Sequence, residues 1–479
     1  LTGGIGAAPA GEAFGANYDL PNASAYLETC AAIANAFWNE RMFRLHGDAK
    51  YIDVLERIIY NGFLSGLSMT GNRFFYPNPL ESDGKGKFNH GSCERAPWFG
   101  CSCCPVNDVR FIPEIASFVY ATHGNALYVN LFMGGSAKLD LAGTILEVKQ
   151  VTRYPWDGKV TLTMTEVARP DSSTSGQEFT LNLRIPGWAR NQPLPSDLYR
   201  YDDALKPQVT LAVNGQPLTP KLEKGFAQIT RVWEAGDTVT LEMEMPVRRV
   251  VAHPAVVADR NRFALERGPL VYCAEGADNA GQVLDKIFPG KVRFQTQERS
   301  NLLGGIVTVK LTSQDSPDAL TCIPYYAWCH RGANEMRVWF PTKAEPKLAS
   351  HCWELDSVAA CFDGREPKSS DDGSIPRFTW WDHRGTSEWV VRTFEKPTQV
   401  SAASVYWFDD TGSGSCRVPR SWRLLYQDGK EWKPVAGASA FGTQRNQYNR
   451  VTFNAVTTTV LRLEVQLQPE FSGGILEWK

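Results

Sequence analysis

The hydrophobic pattern of this chain changes period once, near His123-Gly124, and that change governs what it can fold into. Before it, apolar residues recur every three or four positions, the spacing of helices packed on one face. After it they alternate, the spacing of strands with one face buried. Residues 23–46 hold neither glycine nor proline. Leu27, Cys30, Ala31, Ala34, Phe37 and Trp38 form a helical stripe there, with Asn22 or Ser24 as its cap. Residues 48–67 repeat the pattern through Val54, Leu55, Ile58, Ile59 and Phe63, after a break at Gly47-Asp48. Residues 105–120 make a third helix with Pro105 in its first turn. Between the second and third helices lies an irregular stretch, 68–104, of a length that usually carries function.

Beyond His123 the strand-like segments are 126–133, 144–151, 159–166 and 179–185, then 387–394, 404–408, 422–426 and 458–467. The expected order is helices first, then β modules: 1–122 helical, 123–250 an antiparallel sandwich, 251–348 a second β module and 349–479 a third. A length of 479 residues suits several domains. Three helices are thin for a helical domain. With Leu1 in place of Met, they suggest a processed or truncated chain.

The net charge of −2 gives no electrostatic footprint for nucleic acid or an anionic membrane. No run of 18 apolar residues suggests a membrane helix. Nothing in the sequence fixes the compartment or the oligomeric state, and a homodimer stays open.

Eleven cysteines need a reading. Cys93, Cys101, Cys103 and Cys104 cluster, and the other seven are scattered. Adjacent Cys103 and Cys104 are poorly placed to bridge each other. The odd count without small-domain spacing reads as a reduced protein with one metal or reactive cluster. Cys101-Ser102-Cys103-Cys104-Pro105 enters a helix, where the N-terminal dipole favours thiolates. The spacing is not the two separated pairs of a zinc finger. Glu28-Thr29-Cys30 opens another helix. Glycines surround the single carboxylate of Glu12, from Gly3 to Gly15, either to let backbone approach a ligand or as a plain solvated loop. Arg73 to Ser82 is an aromatic loop with a polar tip, fit to line a pocket or fill a core.

Taken in order, Gly11-Glu12, Glu28-Thr29-Cys30, Phe75-Tyr76-Pro77-Asn78-Pro79-Leu80 and Cys103-Cys104-Pro105 resemble the β-L-arabinofuranosidases of glycoside hydrolase family 127, close relatives of family 146. Residues 183–189 (Leu183 to Ala189) and 265–272 (Leu265 to Tyr272) share the resemblance, which spans residues 1 to about 345. It implies a multidomain α plus β fold: the C-terminal part of an (α/α)6 barrel, then antiparallel β-sandwich and jelly-roll modules. It implies a Zn²⁺ ion held by Glu28, Cys30, Cys103 and Cys104, with Cys103 as nucleophile, Glu12 as general acid/base and Tyr76 beside the sugar. The earlier part of the barrel, which carries the family's sugar-contacting histidines, has no counterpart in these residues, so the chain reads as N-terminally incomplete. Cys101 has no role in the family pattern.

The implied reaction releases L-arabinose from β-L-arabinofuranosides on plant-type arabinose-containing glycans. Most glycosidases use two carboxylates, and in a retaining enzyme the reacting groups stand roughly 5–5.5 Å apart. Here a thiolate would attack the anomeric carbon while Glu12 protonates the leaving oxygen. Water would then release the sugar with Glu12 as base, and two displacements retain configuration. The alternatives are another unusual linkage on the same scaffold, or a carbohydrate-binding fragment with a structural zinc. Residues 349–479 separately resemble a galactose-binding-like jelly roll, through residues 360–364, 389–390, 405–408, 422–426 and Trp432. Trp380 and Trp381 would stack on sugar if exposed, or fill the core.

Overall fold

A computed structural model of the chain describes residues 1–8, 12–169, 176–344, 347–353, 356–429 and 431–479, with residue 395 described in its backbone alone. Two compact units emerge, Leu1–Ala344 and Glu345–Lys479. The chain is mostly β, with three α-helices among the described residues: α1 (Thr29–His46), α2 (Ala49–Arg57) and α3 (Cys103–Glu114). No (α/α)6 barrel is formed by them. No helix is long and apolar enough to cross a membrane.

α1 starts six residues later than residue 23, where its pattern begins. The backbone of 25–27 is engaged elsewhere: Tyr26 N–H donates to the Ala7 carbonyl at 3.1 Å and Leu27 N–H to that of Gly6 at 3.0 Å. Leu27 is left-handed, with φ +44°, which stops a helix before it. Neither Asn22 nor Ser24 is the cap; Glu28 holds that position, and Asn22 donates to Asp259 at 2.9 Å instead. The buried face is Ala32, Ile33, Ala36, Asn39, Glu40 and Phe43, not the expected stripe, and Trp38 is 68% exposed. α2 is capped by Asp48, whose carboxylate accepts from Lys50 N–H. It then loosens into a π turn, Ile58–Phe63, and a 3-10 turn, Leu64–Gly66.

In the first unit, a five-stranded sheet (221–223, 226–233, 177–184, 126–129, 120–123) and a six-stranded sheet (216–217, 209–213, 238–243, 159–168, 144–152, 135–141) share one apolar core around Leu127, Leu146, Leu162, Leu181, Trp233 and Leu241. The sandwich is not wholly antiparallel: Ala126–Val129 pairs in parallel with residues 180–183. Strand 199–201 and the strands between 247 and 341 form most of a ten-stranded sheet. The long segment 68–104 joins it, because Glu81–Ser82 pairs with Met336–Arg337.

Helices and sheets are tied by buried ion pairs. Arg57 of α2 meets Glu266 at 2.6 Å, and Tyr201 donates to the other oxygen of Glu266 at 2.9 Å. Glu56 pairs with Arg184, which also meets Asp53 at 2.8 Å. Arg184 and Glu266 belong to the two downstream stretches, 183–189 and 265–272, so those stretches are the β side of these pairs.

The second unit is built on a six-stranded antiparallel sheet, ordered 378–379, 474–478, 387–408, 448–466, 421–428, 431–434. The two strands expected at 387–394 and 404–408 are one, with two register shifts against its neighbour 448–466. Trp380 is fully buried beside Trp407 and Trp478, so it is core and no sugar platform. Trp381 is half-buried against the cluster of Tyr406 and Phe408.

Candidate functional site

Three separate stretches of the first unit converge. Glu28 and Cys30 flank the start of α1, and Cys103 and Cys104 are the first two residues of α3. One ligand atom from each of the four lies within 4.8 Å of all the others. Cys30 Sγ stands 3.4 Å from Cys104 Sγ, and Cys103 Sγ 4.0 Å from Cys104 Sγ. Glu28 Oε1 is 3.6 Å from Cys103 Sγ and 3.4 Å from Cys104 Sγ. Glu28 and Cys30 are two residues apart and would diverge on a regular helix. They converge because Glu28 stands just outside α1, in extended backbone.

The third stretch is the aromatic loop. Tyr76 places its hydroxyl 2.9 Å from Cys103 Sγ. Asn89 holds it there: its fully buried amide accepts from Tyr76 N–H at 2.9 Å and donates to the carbonyls of Phe74 and Glu94. Asn78 donates to the Leu27 carbonyl and Thr29 Oγ1, both at 3.0 Å, locking the loop to the start of α1. Arg95 adds a third anchor through the carbonyls of Ser65 and Trp328. His90, in left-handed backbone, lays its ring 4.5 Å from that of Tyr76.

Glu12 is exposed at the rim. Tyr26 donates to Glu12 Oε1 at 3.3 Å, and the Tyr26 ring lies 6.3 Å from that of Tyr76. Glu12 therefore connects to Cys103 through two tyrosines, Tyr26 and Tyr76. Gly11 lies outside the described residues. Cys101 is exposed.

The electrostatics suit a cation. Burial pushes the Cys103 thiol up to about 12. The hydrogen bond with Cys30 raises Cys104, and the same bond from Cys104 lowers Cys30. Cys103 and Cys104 hold their protons unless a positive charge joins the cluster. The cluster can thus hold a metal ion.

Three neighbours carried no sequence signal. Tyr26 is one. Asn107, on α3, donates to Cys30 Sγ at 3.0 Å. Asp108 is fully buried with neither carboxylate oxygen hydrogen-bonded among the described residues, and burial pushes it up to about 8.

The chain is similar to known proteins along most of its first unit. Residues 1–117 match the model of the β-L-arabinofuranosidase GH127 catalytic domain, 126–245 its middle domain and 247–341 the family's C-terminal domain. A non-reducing end β-L-arabinofuranosidase of Bifidobacterium longum subsp. longum is 35% identical over 374 residues, covering 71% of this chain and 52% of that protein. A solved GH127 β-arabinofuranosidase is 46% identical with a TM-score of 0.66, covering 71% of this chain and 53% of that one. The GH127 β-L-arabinofuranosidase of Geobacillus stearothermophilus T6 is 38% identical with a TM-score of 0.63, covering 72% and 54%. The chain spans about half the length of these relatives.

Proposed function

This chain belongs to glycoside hydrolase family 127, and from that premise we propose that it carries the chemistry of a retaining β-L-arabinofuranosidase, releasing L-arabinose from plant-type glycans. Its first 122 residues would supply the C-terminal part of an (α/α)6 barrel, with β modules at 123–250, 251–348 and 349–479. The observation that carries the reading is the cluster of Glu28, Cys30, Cys103 and Cys104, with the Tyr76 hydroxyl on Cys103 and Glu12 held at its rim.

The cluster fits zinc. Zn–S bonds of about 2.3 Å in a tetrahedron put sulfurs roughly 3.8 Å apart, and the observed separations of 3.4 and 4.0 Å bracket that. When bound, the ion keeps the coordinating thiols deprotonated at neutral pH. The protein's own groups do the rest. Cys103 attacks the anomeric carbon and forms a C–S bond as the C–O bond to the leaving group breaks. Glu12 gives its proton to the departing oxygen. It then takes a proton from water, which displaces the sulfur and returns the thiolate. Tyr76, donating to Cys103 Sγ, orients the nucleophile. A second reading, a structural zinc in a carbohydrate-binding fragment, is favoured by one feature: all four donors come from the protein, as in structural sites.

Zinc content and turnover of an aryl β-L-arabinofuranoside separate the two. We expect one zinc per chain, turnover that chelation removes, and a loss of at least about 100-fold in Glu12→Ala with zinc retained. Full zinc loading without turnover would establish the structural reading. A Glu12→Ala variant as fast as the parent would sink the acid/base assignment. Hydrolysis of a different aryl glycoside in preference would move the activity to another linkage.

A further inference from the structure

Outside the thiol cluster, the ten-stranded sheet carries an open cavity of about 400 Å³. Arg200, Arg249, Arg260, Arg262 and His253 line it, and Asp259 is the one carboxylate among the lining residues. Arg200 faces Val251 across the strand pair 199–201 and 247–252, and Arg249 lies two residues from Val251. Side chains so related share one face of a sheet.

The charges do not cancel. Arg249 meets Asp202 at 2.8 Å and Arg262 meets Glu81 at 3.1 Å. Glu81 is shared with Arg337, at 3.0 Å. Neither Arg200 nor Arg260 forms an ion pair among the described residues; Arg260 donates only to the Pro254 carbonyl. Arg249 Nε is buried with no hydrogen-bond partner. That atom faces protein, with the guanidinium 4.4 Å over the Phe263 ring; the exposed guanidiniums of Arg200 and Arg260 are the ones an anionic oxygen would satisfy.

His253 adds an imidazole to the lining. Ala255 N–H donates to its Nδ1 at 3.2 Å, which leaves Nε2 to carry the proton of the neutral ring. The ring stacks on Tyr18 at 4.7 Å. Tyr18 lies six residues after Glu12, so the cavity rim and the segment bearing the acid/base candidate are in direct contact.

We propose that this cavity is an accessory subsite for the carboxylate of a uronic-acid residue, so that the chain engages acidic, arabinose-bearing glycans. The volume suits a single sugar ring. The planar fork of a guanidinium matches a carboxylate in a way a point cation does not. The biological sense of the subsite rests on the hydrolase reading; the binding itself does not, since it needs neither zinc nor turnover.

The test is calorimetric or NMR titration of the intact chain with methyl α-D-galacturonoside, methyl α-D-galactoside and inorganic phosphate at equal ionic strength. Its comparison is an Arg200→Gln/Arg260→Gln double variant, checked for an unchanged melting curve. The expected result is saturable galacturonoside binding, little galactoside binding, and a loss of about tenfold or more in the variant. Equal binding of the galactoside, tighter binding of phosphate, or an unaffected variant would each overturn the proposal. Both proteins are then assayed on a neutral aryl β-L-arabinofuranoside, where equal rates are expected. Galacturonoside binding without turnover in either would fell the hydrolase reading and leave the subsite standing.

Discussion

His330 is a half-buried imidazole with both ring nitrogens engaged. Met69 N–H donates to its Nε2 at 3.1 Å, and its Nδ1 lies 2.9 Å from the Ala327 carbonyl, so the neutral ring is the form that fits. Burial drives its pKa down to about 4 from an ordinary 6.5. The unfolded chain therefore takes up a proton below about pH 6.5 that the folded chain refuses until about pH 4. Stability from this group is intact above 6.5 and is lost as pH falls across that window. After allowance for partial solvation, the loss is about 2 kcal/mol. Denaturant titrations at pH 7 and pH 4.5 should show His330→Gln losing less stability than the parent; an equal loss would refute the assignment. At this scale the site was legible where the side chain itself is chemically rare. Three cysteines in four residues and a carboxylate beside Cys30 announced the cluster. Tyr26, Asn107 and Asp108 did not, because tyrosines, asparagines and aspartates are common and only packing shows which of them face a thiol.

At the scale of elements, the π turn at Ile58–Phe63 carries the buried Asn61. Its amide donates to the Arg57 and Pro269 carbonyls, both at 2.9 Å, and accepts from Val271 N–H at 2.8 Å. Removing it strands a buried backbone N–H and carbonyl of the neighbouring strand. Asn61→Ala should destabilise the first unit by about 3 kcal/mol, read from urea unfolding; a change below about 1 kcal/mol would show that water replaces the amide. The period of the hydrophobic pattern located the helices and most strands, because burial on one face imposes that period directly. It failed where tertiary hydrogen bonds won. Residues 26 and 27 read as helix yet bond to the carbonyls of Ala7 and Gly6. Residues 126–129 read as an antiparallel strand and pair so with 120–123, yet run parallel to 180–183 on the other side, since alternation records which face is buried and not which way the neighbour runs.

At the scale of the molecule, the Arg57–Glu266 pair joins α2 to the ten-stranded sheet with side chains 4% and 1% exposed. Glu266→Gln leaves a guanidinium buried without its counter-charge, at a cost of about 3–5 kcal/mol. Adding Arg57→Met should recover part of it. A double variant no more stable than Glu266→Gln alone would show that the cost is lost packing. No single segment of sequence displays such a pair, because its halves lie more than 200 residues apart and each alone looks like an ordinary surface charge.

The short pairing of Glu81–Ser82 with Met336–Arg337 has a consequence for inheritance. The loop that presents Tyr76 is itself a strand of a sheet whose other strands come from far downstream. A recombination event that traded the helical segment for another, cutting anywhere before residue 336, would deliver the thiols but leave that loop without its partner strand. The helices and the first two β modules should therefore pass between genomes as one block, with the last unit, closed on its own sheet, free to be exchanged.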